Sequence, residues 1–266
     1  MNVLDKIMEH KLKEVSENKK LFPVQTLERS NYFERDIISL KKELLRIDKV
    51  GIISEFKRKS PSKGVINSCA TVDETSVGYM EAGASALSIL TDTEFFGGSN
   101  TDLTIARTLN ECPILRKDFI FDEYQIIESK SIGADVILLI AAMLDSVKLK
   151  SLCSFAHSLG LEVLMEVHNE EELRNNIETD IDLIGVNNRN LKTFELSIDI
   201  SRQLASQIPD SIIRISESGI DSAETIVELK KFGYQGFLMG QTFMQSSDPK
   251  TEAANFIGQL ATMIKR

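Results

Sequence analysis

Cysteine, histidine, long apolar runs and positive charge are all scarce in this 266-residue chain. The three cysteines, Cys69, Cys112 and Cys153, show neither paired nor metal-type spacing, and their odd number suits a reducing compartment rather than a disulfide framework. Cys112 precedes an expected strand and Cys153 falls within a helical pattern, so neither reads as a nucleophile. The three histidines, His10, His157 and His168, are scattered, which leaves no set of three or four metal ligands. No apolar run reaches the ~18 residues of a membrane span. The opening MNVLDKIMEHKLKEV has no signal-peptide hydrophobic region, so a cytoplasmic protein is expected. Lys and Arg number 31 against 40 Asp and Glu, a formal charge of −9 that opposes nonspecific binding to nucleic acid or to an anionic membrane. An anionic partner must then be caught in a local basic pocket.

Residues Val3, Leu4, Ile7, Met8, Leu12 and Val15 recur at helical spacing with charges between them, which predicts an amphipathic helix over 3–17, packed on the outside of the rest of the chain. His10 falls on its polar side, as a solvated imidazole. Residues 21–32 read as a connection around Pro23, and Phe33, Ile37, Leu40 and Leu44 share one face of a second helical stretch. From Gly51 onward one unit recurs: strand, loop, capped helix, glycine turn. The expected strands are 51–55, 86–90, 114–117, 136–140, 163–167, 183–187, 212–216 and 236–239. Thr71 with Glu74, Asp122 with Gln125, Asn169 with Glu172 and Asp221 with Glu224 are capping-box pairs, in which each side chain satisfies a free N–H of the first helical turn. Gly83, Gly133, Gly160 and Gly233 stand where a left-handed residue ends a helix. No G-x-G-x-x-G follows the first strand, which disfavours an open dinucleotide-binding sheet. The alternation demands a parallel sheet with right-handed crossovers, and eight units allow closure into a (β/α)8 TIM barrel, an α/β fold of typically about 250 residues. One barrel domain over 1–266 is expected, with residues 1–48 as an N-terminal helical extension.

In such a barrel the chemistry sits at the C-terminal ends of the strands. The stretch IISEFKRKSPSKG (52–64) supplies Glu55 and Lys57, which share a strand face because side chains two residues apart point the same way. Arg58, Lys59 and Lys63 read as a solvated charge run. Later strands contribute Lys117, Glu166, Asn187 with Arg189, Glu217 with Ser218 and Gly219, and Gly240 with Gln241. Lys117 follows Leu115 and Glu166 follows Leu164 on one face, so both are carried into the barrel mouth. A Lys and a Glu there can be tuned into a general acid and a general base, with desolvation expected to raise Glu166 toward the working pH. His168 could compete for the role of base, but beside the helix-opening Asn169 it reads as a loop support. The glycines after the last two strands let backbone N–H groups approach an anion, and a short helix beginning near Gln241 would aim its positive end there, the usual phosphate site of barrels.

The segments SEFKRKSPSKG (54–64), LRKDFI (115–120), GADVILLI (133–140), LMEVHNEEEL (164–173), IGVNNRNLKTF (184–194), SESGI (216–220) and GFLMG (236–240) resemble, in order and spacing, the signature of the indole-3-glycerol-phosphate synthase family. LDKIMEHKLKEV is similar to that family's N-terminal extension. The resemblance implies a phosphorylated small-molecule substrate, 1-(2-carboxyphenylamino)-1-deoxyribulose 5-phosphate, closed to an indole with loss of carbon dioxide and water and without metal or organic cofactor. It implies Lys117 as general acid, Glu166 as general base, and Lys57 with Glu55 at the substrate's anionic groups. Asn187, Arg189, Ser60, Glu217 and Ser218 would hold polar groups, and Gly219, Gly240 and Gln241 the phosphate. Phe96, Phe119, Leu138 and Leu191 would form the slot for the aryl ring. Two alternatives remain: a phosphoribosylanthranilate isomerase-like barrel, in which a Cys typically stands where this chain has Glu55, and a catalytically silent barrel that binds phosphometabolites. Partner enzymes and oligomeric state are not legible in the sequence.

Overall fold

Eight short parallel strands close into a barrel: β1 (Ile52–Phe56), β2 (Ala86–Leu90), β3 (Ile114–Lys117), β4 (Val136–Ile140), β5 (Glu162–Val167), β6 (Leu183–Asn187), β7 (Ile213–Glu217) and β8 (Gly236–Met239). Each strand pairs with its neighbours in sequence, and β1 pairs with both β2 and β8 to complete the ring. The structure, a computed structural model, describes residues 3–190 and 193–264. The alternation read from the sequence is therefore a TIM barrel, with strand limits within one residue of those expected.

The period-two alternation of each strand divides the apolar residues between two cores. Ile53, Leu115, Leu138, Leu164, Ile215 and Leu238 point inward and fill the barrel. Ile52, Leu87, Ile114, Leu139, Val163 and Met165 point outward, beneath the ring of helices. Gly83, Gly133, Gly160 and Gly233 all have positive φ, from 76° to 97°, and end their helices as expected. Asp122 and Gln125 form the full capping box on α6 (Glu123–Ser131), the sixth helix in chain order.

The other caps differ from the expectation. Thr71 precedes α4 (Val72–Glu81) without a side-chain cap bond. Asn169 caps α8 (Glu170–Asn176), but Glu172 reaches past it to accept the backbone N–H of His168 at 2.8 Å. On α10 (Ala223–Lys231) the cap is Ser222, one residue later than expected, and Asp221 faces the barrel mouth instead.

The N-terminal extension departs most from the sequence reading. Its first helix, α1 (Val3–Leu21), packs on the barrel as expected, but over the mouth: Ile7 joins the inner core, and Val3, Leu4 and Ile7 line the cavity there. Leu12, expected on the buried stripe, is 54% exposed, whereas Lys11 is buried in its place. His10 is half-buried and meets the edge of Phe95 with ring centroids 5.7 Å apart. The second helical stretch shrinks to α3 (Leu40–Leu44), capped by Ser39, because Phe33 and Ile37 belong to turns and extended chain. Leu40 and Leu44 join the inner core beside the starts of the strands, so the extension packs against both ends of the barrel. No described helix is long and apolar enough to cross a membrane.

Candidate active site

The inward faces of β1, β3, β5, β6 and β7 each end in a polar side chain, and these converge on a cavity of about 530 Å³ at the C-terminal mouth. Lys117 stands at the centre. Its Nζ lies 2.6 Å from Glu166 Oε2 and 2.8 Å from Glu217 Oε2, one ammonium between carboxylates from two other strands. Asn187 Nδ2 donates to the other Glu166 oxygen at 3.1 Å, so the carboxylate is held at both ends. Across the mouth, Lys57 Nζ donates to Glu55 Oε1 at 2.5 Å, the pair expected from the shared strand face.

Two glycines make this packing possible. A Cβ added to Gly185 would fall 2.2 Å from Glu217 Oε1, and one added to Gly240 would fall 2.7 Å from Glu55 Oε1. Gly240 was expected to serve an anion; in the structure its bare Cα also makes room for a carboxylate.

The apolar wall is built by Phe96 and Phe119, whose ring centroids are 5.9 Å apart, with Leu138 beside them and Leu4 and Ile7 of α1 above. Ser60 lies buried on a two-stranded hairpin, Lys59–Ser60 with Gly64–Val65, at the rim. Arg189 donates its backbone N–H to Asn187 Oδ1 at 3.0 Å, and its guanidinium reaches the Phe194 carbonyl at 3.4 Å. On the remaining side Ser218 and Gly219 have φ of 67° and 70°, and Gly240 precedes the short helix α11 (Gln241–Met244). Apart from Lys59, Gly64 and Val65 of the hairpin and Phe243 and Met244 of α11, these residues line the same cavity. Leu191 lies outside the described residues.

Electrostatics alter one expectation. Burial by itself pushes Glu166 up, but the Lys117 ammonium and then His168 outweigh it and hold this carboxyl well below the usual range. Glu217 is the group lifted: burial, together with the negative charge of Glu166, pushes it to about 7 in spite of Lys117. Burial disfavours charge on Lys117, yet Glu166, Glu217 and Glu55 together keep its proton bound above the ordinary lysine value. Lys117 is thus shared by two carboxylates pushed in opposite directions, Glu166 down and Glu217 up.

Arg58 is not part of a solvated charge run. It makes a two-pronged pair with Asp102 at 2.6 and 2.9 Å and stacks 4.5 Å from the Phe56 ring, which ties the loop after β1 to α5 (Asn100–Leu109).

Three residues important to the site were not assigned to it from the sequence. Lys11, with its side chain 1% exposed, reaches Asp118 at 2.9 Å, Glu14 at 2.5 Å and Asp92 at 3.7 Å. Asp118, next to Lys117, is held well below the carboxylate range because Lys11 and Arg116 overcome its burial. The signal for Lys11 was present: it stands four residues from both Ile7 and Val15, on the apolar stripe. His168 is the third, and it sits directly behind Glu166 rather than merely supporting a loop.

A family model described as indole-3-glycerol phosphate synthase matches residues 4–256. A Bacteroides thetaiotaomicron indole-3-glycerol phosphate synthase is 46% identical over 96% of this chain and 98% of that protein. One from Campylobacter jejuni is 43% identical over 92% and 96%. Among solved structures, 3-hexulose-6-phosphate synthase from Salmonella typhimurium superposes with a TM-score of 0.62 at 15% identity, covering 80% of this chain and 99% of that one, a likeness of fold alone. With relatives this similar matched along nearly their whole length, the chain belongs to the indole-3-glycerol phosphate synthase family.

Proposed function

We propose that the chain converts 1-(2-carboxyphenylamino)-1-deoxyribulose 5-phosphate to indole-3-glycerol phosphate, carbon dioxide and water, a carboxy-lyase step of tryptophan biosynthesis. The observation that carries the residue-level reading is Lys117 held between Glu166 and Glu217 on the polar side of a cavity with a phenylalanine wall. An ammonium has three N–H donors, so a third remains for a substrate carbonyl while two hold the carboxylates.

In this reading Lys117 protonates the ribulose carbonyl oxygen as the ring carbon bearing the carboxylate attacks the carbonyl carbon. The bond to the carboxylate then breaks, carbon dioxide leaves, and the aromatic ring is restored. Glu166 takes a proton from the closed-ring intermediate while Lys57 gives one to its hydroxyl, which departs as water. Lys57, oriented by Glu55, meets the substrate's anionic groups and joins the proton transfers. Arg189, Asn187, Ser60 and Ser218 hold polar groups, and the aryl ring lies against Phe96, Phe119 and Leu138. Backbone N–H groups around Gly219, Gly240 and Gln241 take the phosphate, which favours glycine because the anion needs close backbone approach. The chain works as one barrel domain with residues 1–48 as its helical extension, and its unpaired thiols suit a cytoplasmic setting.

The test is to mix protein and substrate and follow indole fluorescence. The chain has no tryptophan, so product indole is read without a tryptophan background. Binding without any rise in fluorescence would mark a silent phosphometabolite barrel.

A further inference from the structure

His168 follows β5, two residues beyond Glu166, and its side chain is 7% exposed. Both ring nitrogens face carboxylates: Nε2 lies 3.2 Å from Glu166 Oε1, and Nδ1 lies 3.1 Å from Glu172 Oε2. Glu172 is itself fixed, since the same oxygen accepts the His168 backbone N–H at 2.8 Å and its other oxygen accepts from Asn169 Nδ2 at 2.7 Å. A neutral imidazole can donate from only one nitrogen and would turn a lone pair toward one of these carboxylates. The imidazolium carries an N–H on each: Nδ1 hydrogen-bonds Glu172, and Nε2 meets Glu166 at 3.2 Å as a charge contact without hydrogen-bond alignment.

Glu166 and Asn187 line the cavity, but His168 does not, so the imidazole touches the carboxylate from behind. We infer that His168 is a positioning residue for the base, a fixed cation that keeps Glu166 ionised and oriented while Lys117 is engaged with substrate. This deepens the proposed reaction and rests on Glu166 acting as its base.

The charges around the pair are few. Glu166 from β5 and Glu172 from α8 face the imidazole, and together they outweigh its burial and lift it to about 9. On the cavity side Glu166 meets Lys117 from β3, which it shares with Glu217 from β7. Lys117 can reach the substrate carbonyl with its third N–H while it holds Glu166 and Glu217, but once it has given up that proton it no longer holds Glu166 electrostatically. His168 is out of reach of the substrate, so its charge persists through the step. An opposite charge within about 4–6 Å typically lowers a carboxyl by 1–3 pH units, enough to decide whether the base is ionised in mildly acidic solution.

The experiment uses the full chain labelled with 15N-histidine. Its three histidines make a small spectrum, and His168→Gln assigns the signal. In the wild type His168 should be doubly protonated at pH 7.5. Glu172→Gln and Glu166→Gln should each lower its titration by at least about one pH unit. In kinetics, His168→Gln should reduce kcat about tenfold with KM within about twofold, and move the acidic limb of the pH–kcat profile upward by about one pH unit.

A neutral His168 at pH 7 in the wild type overturns the inference, as does a His168 signal unmoved by Glu166→Gln. An acidic limb unmoved in a folded His168→Gln variant does the same. If that variant does not fold, the wild-type and Glu166→Gln titrations decide the matter. Separately, a Glu166→Gln enzyme that keeps its acidic limb refutes Glu166 as the base without touching the titration result.

Discussion

Replacing Lys11 with Met removes one charge from the centre of a buried ionic cluster while keeping most of the side chain's packing volume. In the native protein the ammonium serves Asp118, Glu14 and Asp92. Burial alone would lower it, but Asp118 and Glu14 outweigh that and lift it to about 12. The three carboxylates fare differently once it is gone. Glu14 is 29% exposed and can turn to water. Asp118 keeps Arg116 at 3.1 Å, the Thr91 hydroxyl at 2.5 Å and the Phe119 N–H at 2.8 Å. Asp92 keeps the backbone N–H groups of Phe95 and Phe96 at 2.7 and 3.2 Å, but loses the only cation near it among the described residues while still facing Asp118. Breaking a buried pair from one side typically costs about 3–5 kcal/mol. The partners that remain favour the lower end, about 3 kcal/mol, or a Tm lowered by about 6–12 °C for a chain of this size.

Urea unfolding at pH 7 measures that loss. The sign of its pH dependence is set by the shifts. The raised Lys11 contributes stability that is whole below its ordinary value of 10.5 and is lost as pH rises through about 12. The depressed Asp118 contributes stability present above its ordinary value of 3.8 and lost as pH falls below it. The gap between wild type and Lys11→Met should therefore be widest between about pH 5 and 10 and should narrow toward both extremes. Because Lys11 ties α1 to the residue after Lys117, amide exchange over residues 3–21 should accelerate more than exchange in β5 or β6. A loss below about 1 kcal/mol, or uniform acceleration across the barrel, would refute the view that this cluster fastens the helix over the mouth.

Lys117→Met should lower kcat by at least about 10²-fold with substrate affinity kept within about tenfold, and a variant retaining more than about a tenth of wild-type turnover removes Lys117 as the acid. Glu166→Gln should erase the acidic limb of the pH–rate profile while Glu55→Gln lowers activity with both limbs in place; the opposite outcome puts the base on β1. Gly240→Ala should reduce kcat as well as raise KM, because its Cβ would fall 2.8 Å from the Glu55 Cβ and displace that carboxylate from Lys57; a pure KM effect would leave Gly240 with the anion alone. His168→Gln should be less stable than wild type chiefly below pH 6.5, by on the order of 3 kcal/mol, with the difference vanishing as pH rises through about 9, and a pH-independent difference means that the imidazole is neutral.

The barrel was legible in the sequence, as were most of the residues that line the candidate cavity. Strand alternation, helix periodicity, capping residues and left-handed glycines are written within a few residues of one another, so eight units and their strand ends were legible without any long-range contact. Inward-facing ionisable groups could be named because the face of Lys117 is set by Leu115 and that of Glu166 by Leu164, only two positions away. What the sequence could not determine was how the charges pair. Lys117 meets Glu166 across 49 positions and Glu217 across 100, so the burial that suggested a raised Glu166 was visible while the cation that depresses it was not. Lys11 looked like one more polar residue on an amphipathic helix until Asp118, brought beside it by barrel closure, made a buried ammonium tolerable. Local periodicity fixes which way a side chain points, and only the closed barrel decides which charge it meets, because electrostatic energy depends on distance in space and on the water excluded between the partners.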